Sequence, residues 1–449
     1  MKMMMKKTKP SSNKTAITFL SGSAGELDWI MPILSFILNQ GFKLKIIFLS
    51  NHVYLSIKKN KMLNDFVYQQ NDNLEVFHHT GLYLERFERL TYLSHRFFLK
   101  FNLKEFTFFR FLNDLLNRIF EIIFLWRFPS EVLNLSEDVD LVFSEYPSLR
   151  RPRDIWFKSR FKKSIFFYFP HSPHIYSEDI NKELTETELI DFSKKNFLLL
   201  GHPTDYSMIN DGKELADPDL EKVFIGHPKY SDIWLKDLKD EAKRYQLDSI
   251  SRDYINILVL SRGIGSYLDK QSHSNLVETT IDTINTKISN YNLLIKKHPR
   301  EVNSSWDDHL DKNSSIQIVD EHIMEIARRV DFVISFWSSG AMDCNTLGVP
   351  VIEYFDPNQN PKQQIPDGEG FTTIYRRLGI VYPANNEREL GSMVTRLKES
   401  NTTKPKITPH FFYNDLMNKS NKWHKTIEKI LLHHRLIDEY DTENIETSI

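Results

Sequence analysis

The sequence holds one cysteine, Cys344, in 449 residues. A single thiol excludes an internal disulfide framework and any cysteine-based zinc site, and it agrees with a reducing compartment. Glycine is scarce, at 15 residues, and phenylalanine plentiful, at 32, which excludes both a collagen-like repeat and a disordered chain. Neither sign of charge dominates. Lys and Arg number 58 against 60 Asp and Glu, a net charge of -2. Bulk nucleic-acid binding normally needs a basic excess, so no nucleic-acid partner is expected. No apolar run approaches the roughly 18 residues that suggest a membrane-crossing helix. The basic residues 1–14 read as a disordered tail. The apolar run after them, Ala16 to Leu20, is too short for a signal-peptide core. A cytoplasmic location is expected.

What is present is an alternation of short apolar runs with amphipathic stretches. TAITFLSG reads as a strand and loop, GELDWIMPILSFILNQG as a helix closed by glycine, and KLKIIFLS as the next strand. This β–loop–α–β start is how a parallel sheet opens. DVDLVFSE, KKSIFFYFPH and KNFLLLGHP continue it. After KVFIGHPKYSDIW and a polar segment, a second α/β series begins at YINILVLSRG and runs through YNLLIKKHP, SIQIVD, DFVISF and VPVIEYF. The pattern predicts two Rossmann-like α/β domains facing a cleft. Their expected bounds are 15–225 and 226–410, followed by a C-terminal helix and tail, 411–449, that packs back on the first domain. Residues 84–128, dense in Phe, Leu, Arg and Lys, read as two or three helices.

In open parallel sheets, ligands bind beyond the carboxyl ends of the strands, so the residues after each strand are the candidates. In DFVISFWSSGAMDCNTLGVPVIEY, the strand gives way to Ser338, Ser339 and Gly340, small residues that open a helix whose N–H groups attract a phosphate. Asp343, about one turn further, carries a carboxylate able to accept both hydroxyls of a ribose. The same residues also fit a helix cap and a first-turn acid. In LLIKKHPRE, His298 follows a strand and can donate to a phosphate oxygen, though a solvated basic turn reads the same way. In LVLSRGIGS, Arg262 can pair with a diphosphate, and Gly263 frees the backbone. The fragment lacks the third glycine and the acid of a nicotinamide-binding fingerprint, so that cofactor is rejected. In LSGSAGELDW, Glu26 is the candidate general base, with Asp28 the lesser alternative. A helix-terminal acid is the plainer reading of Glu26. His171 and His174, in FFYFPHSPHIY, are candidate acceptor contacts. A metal would need a third ligand that the sequence does not name, so no metal and no cofactor are expected.

Taken in order, G-S-A-G-E, the Gly-His-Pro-Lys hinge, K-K-H-P-R and S-S-G-A-M-D-C-N-T-L-G-V-P-V-I resemble glycosyltransferases of the GT-B fold. Bacterial transferases of capsule and lipopolysaccharide synthesis, including Kdo and sialic-acid transferases, are the suggested relatives. The resemblance spans roughly residues 15–400. It implies a nucleotide-activated sugar donor, CMP- or UDP-linked, a glycan or glycolipid acceptor, and an inverting, metal-independent transfer. It also implies roles: Glu26 as base, His298, Ser338 and Ser339 on the nucleotide phosphate, and Asp343 where the fold usually has a ribose-binding Glu. The paired-acid-plus-glycine motif of polysialyltransferases is missing. UDP-sugar 2-epimerases and glycerophosphotransferases of teichoic-acid type share the fold and stand as alternatives, as does a non-catalytic binding protein. The epimerases' early loop carries an Arg and a Pro-Glu that this loop lacks. A basic run at 150–163 adds the expectation of peripheral contact with the inner face of a membrane.

Overall fold

The computed structural model describes residues 14–21, 24–49, 51–69, 71–78, 139–145, 157–170, 190–201, 219–242, 253–264, 268–298, 304–310, 313–359, 365–399 and 408–438, with the single residues 115, 119 and 301. His171, His174, nearly all of the Phe-rich stretch 84–128 and the arginines at 150–153 lie outside these residues.

Seven strands form the first sheet: β1 Thr15–Leu20, β2 Lys43–Phe48, β3 Leu74–His78, β4 Leu141–Glu145, β5 Ile165–Phe169, β6 Asn196–Leu200 and β7 Leu220–Phe224. All neighbours are parallel, in the order β3-β2-β1-β4-β5-β6-β7. Parallel strands covered on both faces need side chains that are apolar throughout. IFFYF of β5 meets that demand, with all five residues buried. Phe143, Phe167 and Phe197 stack across three adjacent strands at 5.2 and 5.6 Å between ring centres. Helix α1, Ala24–Asn39, follows β1 and is apolar on most of its circumference. A helix of that kind must be covered on several sides. The C-terminal helices supply one cover, with Phe36 edge-on to Trp423 at 5.7 Å.

The second sheet holds β8 Ile255–Leu260, β9 Tyr291–Lys296, β10 Ile316–Ile318, β11 Phe332–Ser335, β12 Val351–Tyr354 and β15 Tyr382–Ala384, parallel in the order β10-β9-β8-β11-β12-β15. A hairpin not anticipated from the sequence, β13 Ile365–Asp367 and β14 Gly370–Thr372, lies between β12 and β15 in the chain. Its turn contains Gly368 at φ +59, a backbone angle that favours glycine.

The chain leaves the first sheet at Phe224 and enters the second at Ile255 through a short 3-10 turn, Pro228–Tyr230, and a helix, Asp232–Ala242. The expected C-terminal helix is two helices, Phe411–Ser420 and Trp423–His433. They return to the hinge and the first domain. Ser420 Oγ accepts the His227 N–H at 2.9 Å. Trp423 Nε1–H donates to Ser231 Oγ at 3.1 Å, and His434 Nε2 donates to the Lys194 carbonyl at 3.0 Å. Gly226, at φ +72, passes so close to Ser420 that an added Cβ would sit 2.4 Å from its backbone nitrogen. His227 has no exposed surface, and its Nδ1 accepts the Trp29 indole N–H at 2.9 Å. This His-Pro pair is therefore part of the hinge core. The fold class read from the sequence, two parallel-sheet domains with the C-terminal helical segment packed back on the first, is the one observed.

Candidate functional site

In both sheets the strand order reverses at the first strand, between β1 and β4 and between β8 and β11. A crevice opens at such a switch point, outside the carboxyl ends of the strands. The residues that end these four strands and the loops after them define the candidate site.

At the first switch point, Ser21 follows β1 and Glu145 ends β4. The Ser21 N–H donates to Glu26 Oε2 at 2.7 Å, and its hydroxyl donates to Glu145 Oε2 at 3.3 Å. One serine thus joins two carboxylates. They differ in access: Glu26, in the first turn of α1, has no exposed surface, whereas Glu145 is partly exposed. In this conformation Glu26 holds the Ser21 N–H where the chain leaves β1. The sequence did show Glu145, as an acid closing a buried strand, but not that β4 would lie beside β1.

Between the domains lies a buried charge cluster. Lys229 Nζ, from the hinge, is 2.8 Å from Asp28 Oδ2 on α1 and 2.7 Å from Asp343 Oδ1 on the helix Gly340–Thr346. Asp28 Oδ1 is 2.8 Å from His322 Nε2, and His322 caps the helix Ile323–Ala327. The Lys229 side chain is 4% exposed and that of Asp343 8%. Burial works against the Asp28 charge, but Lys229 and then His322 outweigh it and hold the carboxyl well below its usual range. Burial likewise opposes the Lys229 charge, and Asp28 and Asp343 outweigh it and hold the ammonium well above its usual range. Burial, and then the Asp343 charge, push the Tyr230 hydroxyl well up. A carboxylate paired through both oxygens is a poor proton acceptor, so in this conformation Asp28 is disfavoured as the base. Asp343, expected opposite a ribose, contacts a lysine in this conformation.

At the second switch point three adjacent loops touch. Arg262, after β8, lays its guanidinium over the Trp337 ring at 4.2 Å and donates from Nη1 to the Trp337 carbonyl at 2.7 Å. Trp337, after β11, takes φ +58. That angle is an outlier for a bulky residue and costs on the order of 1–3 kcal/mol. The Arg262 contacts and the Phe355 ring, stacked at 5.4 Å, hold it there. Gly263 is pressed against the loop after β9, where an added Cβ would lie 2.9 Å from Glu301 Cα. His298, in that loop, is partly exposed, and its N–H donates to Glu301 Oε2 at 3.2 Å. Ser338 is partly exposed and Ser339 exposed. The Ser338 N–H donates to Ser335 Oγ at 3.0 Å, and the Gly340 N–H to Ser338 Oγ at 3.3 Å. Gly340 itself is buried. A Cβ there would lie 2.7 Å from Ile323 Cδ1 and 3.1 Å from Leu260 Cδ1, so a larger residue must push these side-chain ends aside for the helix to start this close to the sheet. The structure thus gathers the loops that carry Arg262, Gly263, His298, Ser338, Ser339 and Gly340. No sequence signal marks Trp337 as the bridge, or Glu301 beneath it.

No protein-family model and no curated protein matches the sequence. Solved structures do. UDP-GlcNAc 2-epimerase from Methanocaldococcus jannaschii matches with a TM-score of 0.51 at 13% identity, over 94% of this chain and 99% of that one. The Neisseria meningitidis UDP-GlcNAc 2-epimerase, solved with UDP-GlcNAc bound, matches at 0.50 and 11%, over 93% and 100%. The wall teichoic acid polymerase TagF, solved with CDPG, matches at 0.50 and 9%, over 95% and 89%. At these identities the likeness concerns the fold, which is of the GT-B type.

Proposed function

We propose that this chain is a glycosyltransferase that moves a sugar from a nucleotide-activated donor to a hydroxyl of a glycan or glycolipid, with inversion. One observation carries the reading: the two switch points are chemically opposite. The second sheet ends in a cation, an imidazole and small hydroxyl side chains. The first ends in two carboxylates linked by Ser21. Arg262, His298 and the Ser338–Gly340 turn suit the charge of a departing nucleotide phosphate. A carboxylate across the cleft suits removal of the acceptor proton. Glu145, the partly exposed acid, takes that proton. Glu26 fixes Ser21 and through it Glu145. If Glu26 is itself the base, as its place in the G-S-A-G-E loop suggests, the loop opens first.

A second reading, a nucleotide-sugar 2-epimerase, is favoured by the likeness to two such enzymes and by the paired carboxylates, which could serve acid and base on one sugar carbon. Incubation with candidate nucleotide sugars in D2O separates the two. A transferase releases nucleotide only when acceptor is present. An epimerase interconverts the sugar without acceptor and places deuterium at C2. Thermal shift with CMP, UDP and CDP then assigns the donor: CMP fits a Kdo or sialic-acid donor, UDP a hexose donor and CDP a glycerophosphate. No stabilisation by any of the three contradicts both enzymatic readings.

A further inference from the structure

Glu301 has a fully buried side chain in a loop otherwise read as a phosphate contact. An ionised carboxylate accepts about four hydrogen bonds and donates none. Here Oε2 accepts the His298 N–H at 3.2 Å, while Oε1 accepts from Ser261 Oγ at 3.1 Å and also from Ser304 Oγ. His273 Nε2 is the fourth donor, 3.3 Å from Oε1. The donors around Glu301 are themselves oriented. Ser261 Oγ accepts the Trp306 indole N–H at 3.1 Å, which leaves its own proton for Glu301. His273 Nδ1 is 2.9 Å from Ser305 Oγ, and the two buried rings of His273 and Trp306 pack against Phe336 beside β11. Burial raises the Glu301 pKa, but His273, Ser304, the His298 N–H and Ser261 together bring it below the usual range.

Ser261 follows β8 and His298 follows β9, so this one carboxylate ties together the chain after two neighbouring strands, and through His273 and Trp306 it backs onto Phe336 after β11. Gly263 rests on the Glu301 backbone and its Cβ and Cγ. We propose that Glu301 is a positioning residue. Held by His273, Ser261 and Ser304, it fixes the Arg262–Gly263 loop against the His298 loop so that both present donors to a phosphate group. Glu301 touches no substrate itself. The proposal rests on the nucleotide-sugar reading and deepens it by naming what sets the geometry of the phosphate contacts.

The test compares a nucleotide with its nucleoside. UDP, CMP and CDP, and then uridine or cytidine to match, are titrated into the wild-type chain and into Glu301→Gln by calorimetry or ligand-observed NMR. Glutamine keeps the shape but replaces one acceptor with a donor facing other donors. The expected result is a loss of about tenfold or more in affinity for the nucleotide that the wild type binds, in line with a charge-assisted hydrogen bond, while affinity for the nucleoside stays within about twofold. A purely structural role would lower both together, and that outcome overturns the proposal, as does nucleotide affinity equal to wild type. If Glu301→Gln does not fold, Glu301→Asp is used. It keeps the charge but is too short to reach Ser261 and the His298 N–H together, and it must show the same selective loss or the proposal fails. If the wild type binds no nucleotide, the nucleotide-sugar reading falls and the inference falls with it.

Discussion

The two switch points share a topology and differ in everything that faces it. The first ends in Ser21, Glu26 and Glu145, and the second in Arg262, His298, Trp337, Ser338 and Ser339. Each also has a buried acid behind its loop, but the two acids act differently. Glu26 holds a backbone N–H of its own helix entry, five residues away. Glu301 gathers donors from the residue after β8, the loop after β9 and the helix Lys270–Lys287. One fold unit, used twice, presents opposite side-chain chemistry because the residues after its strands differ. It also gives Lys229 a role: it joins Asp28, seven residues after Ser21, to Asp343, five residues after Ser338, and so couples the two ends.

The largest expected effect comes from breaking that coupling. Lys229→Met leaves Asp28 and Asp343 buried without their cation, and removing one partner of a buried pair typically costs about 3–5 kcal/mol. Chemical denaturation should show a loss of that size, and a loss under about 1 kcal/mol would place the coupling elsewhere. The pH dependence follows from the directions of shift. The Asp28 pKa is lower folded than unfolded, so its contribution is complete above the ordinary carboxylate range and fades as pH falls below about 4. The Lys229 pKa is higher folded than unfolded, so its contribution is complete below the ordinary lysine range and fades as pH rises past about 10. Wild type should lose stability at both limits more steeply than Lys229→Met does.

Next in size is the split between the two carboxylates. Glu145→Gln should lower turnover about a hundredfold, the usual scale of a lost general base, with nucleotide affinity unchanged. Glu26→Gln can still accept the Ser21 N–H through its amide oxygen and should lose less, about tenfold. If Glu26→Gln is the more damaging variant, the two exchange roles. If neither variant changes turnover, the acidic end is not catalytic.

Gly340→Ala probes the packing at the other switch point. Its methyl must displace Ile323 and Leu260, at a cost of about 1–3 kcal/mol from overpacking. A neutral result in thermal denaturation would show that the helix start is not as tightly set as the distances indicate. The smallest effect concerns a surface beside the first sheet. Arg160, Lys162 and Lys163 are exposed on the described part of the basic run, while Phe157 from the same segment stacks on Phe19 at 4.0 Å. Each basic residue near an anionic membrane contributes about 1 kcal/mol. Replacing all three with Ser should weaken sedimentation with anionic liposomes at low salt, and unchanged sedimentation removes this segment from any membrane contact.

The sheets were legible because buried parallel strands are written as continuous apolar runs, as in INILVL and IFFYF, and those runs do not depend on distant residues. Candidates such as Arg262, His298 and Ser338 were legible for the same reason, since each directly follows such a run. The partners were not. Lys229 meets acids 201 residues before it and 114 after it, brought to the hinge only by the packing of α1 and of the helix after β11. His273 and Glu301 lie on different elements with no spacing that relates them. Glu145 stood in plain view, but its worth depended on strand order. The C-terminal helices split because Asn421 and Lys422 turn the chain where the amphipathic pattern alone runs on.

The claim that the second switch point holds the nucleotide phosphate while the first holds the acid is tested most directly by hydrogen–deuterium exchange at saturating nucleotide. Slower exchange is expected in residues 261–264, in the loop around His298 and Glu301, and in residues 337–341, with residues 21–27 and 145 unchanged until an acceptor is added. Protection by nucleotide alone that is confined to residues 21–27 and 145 would contradict it.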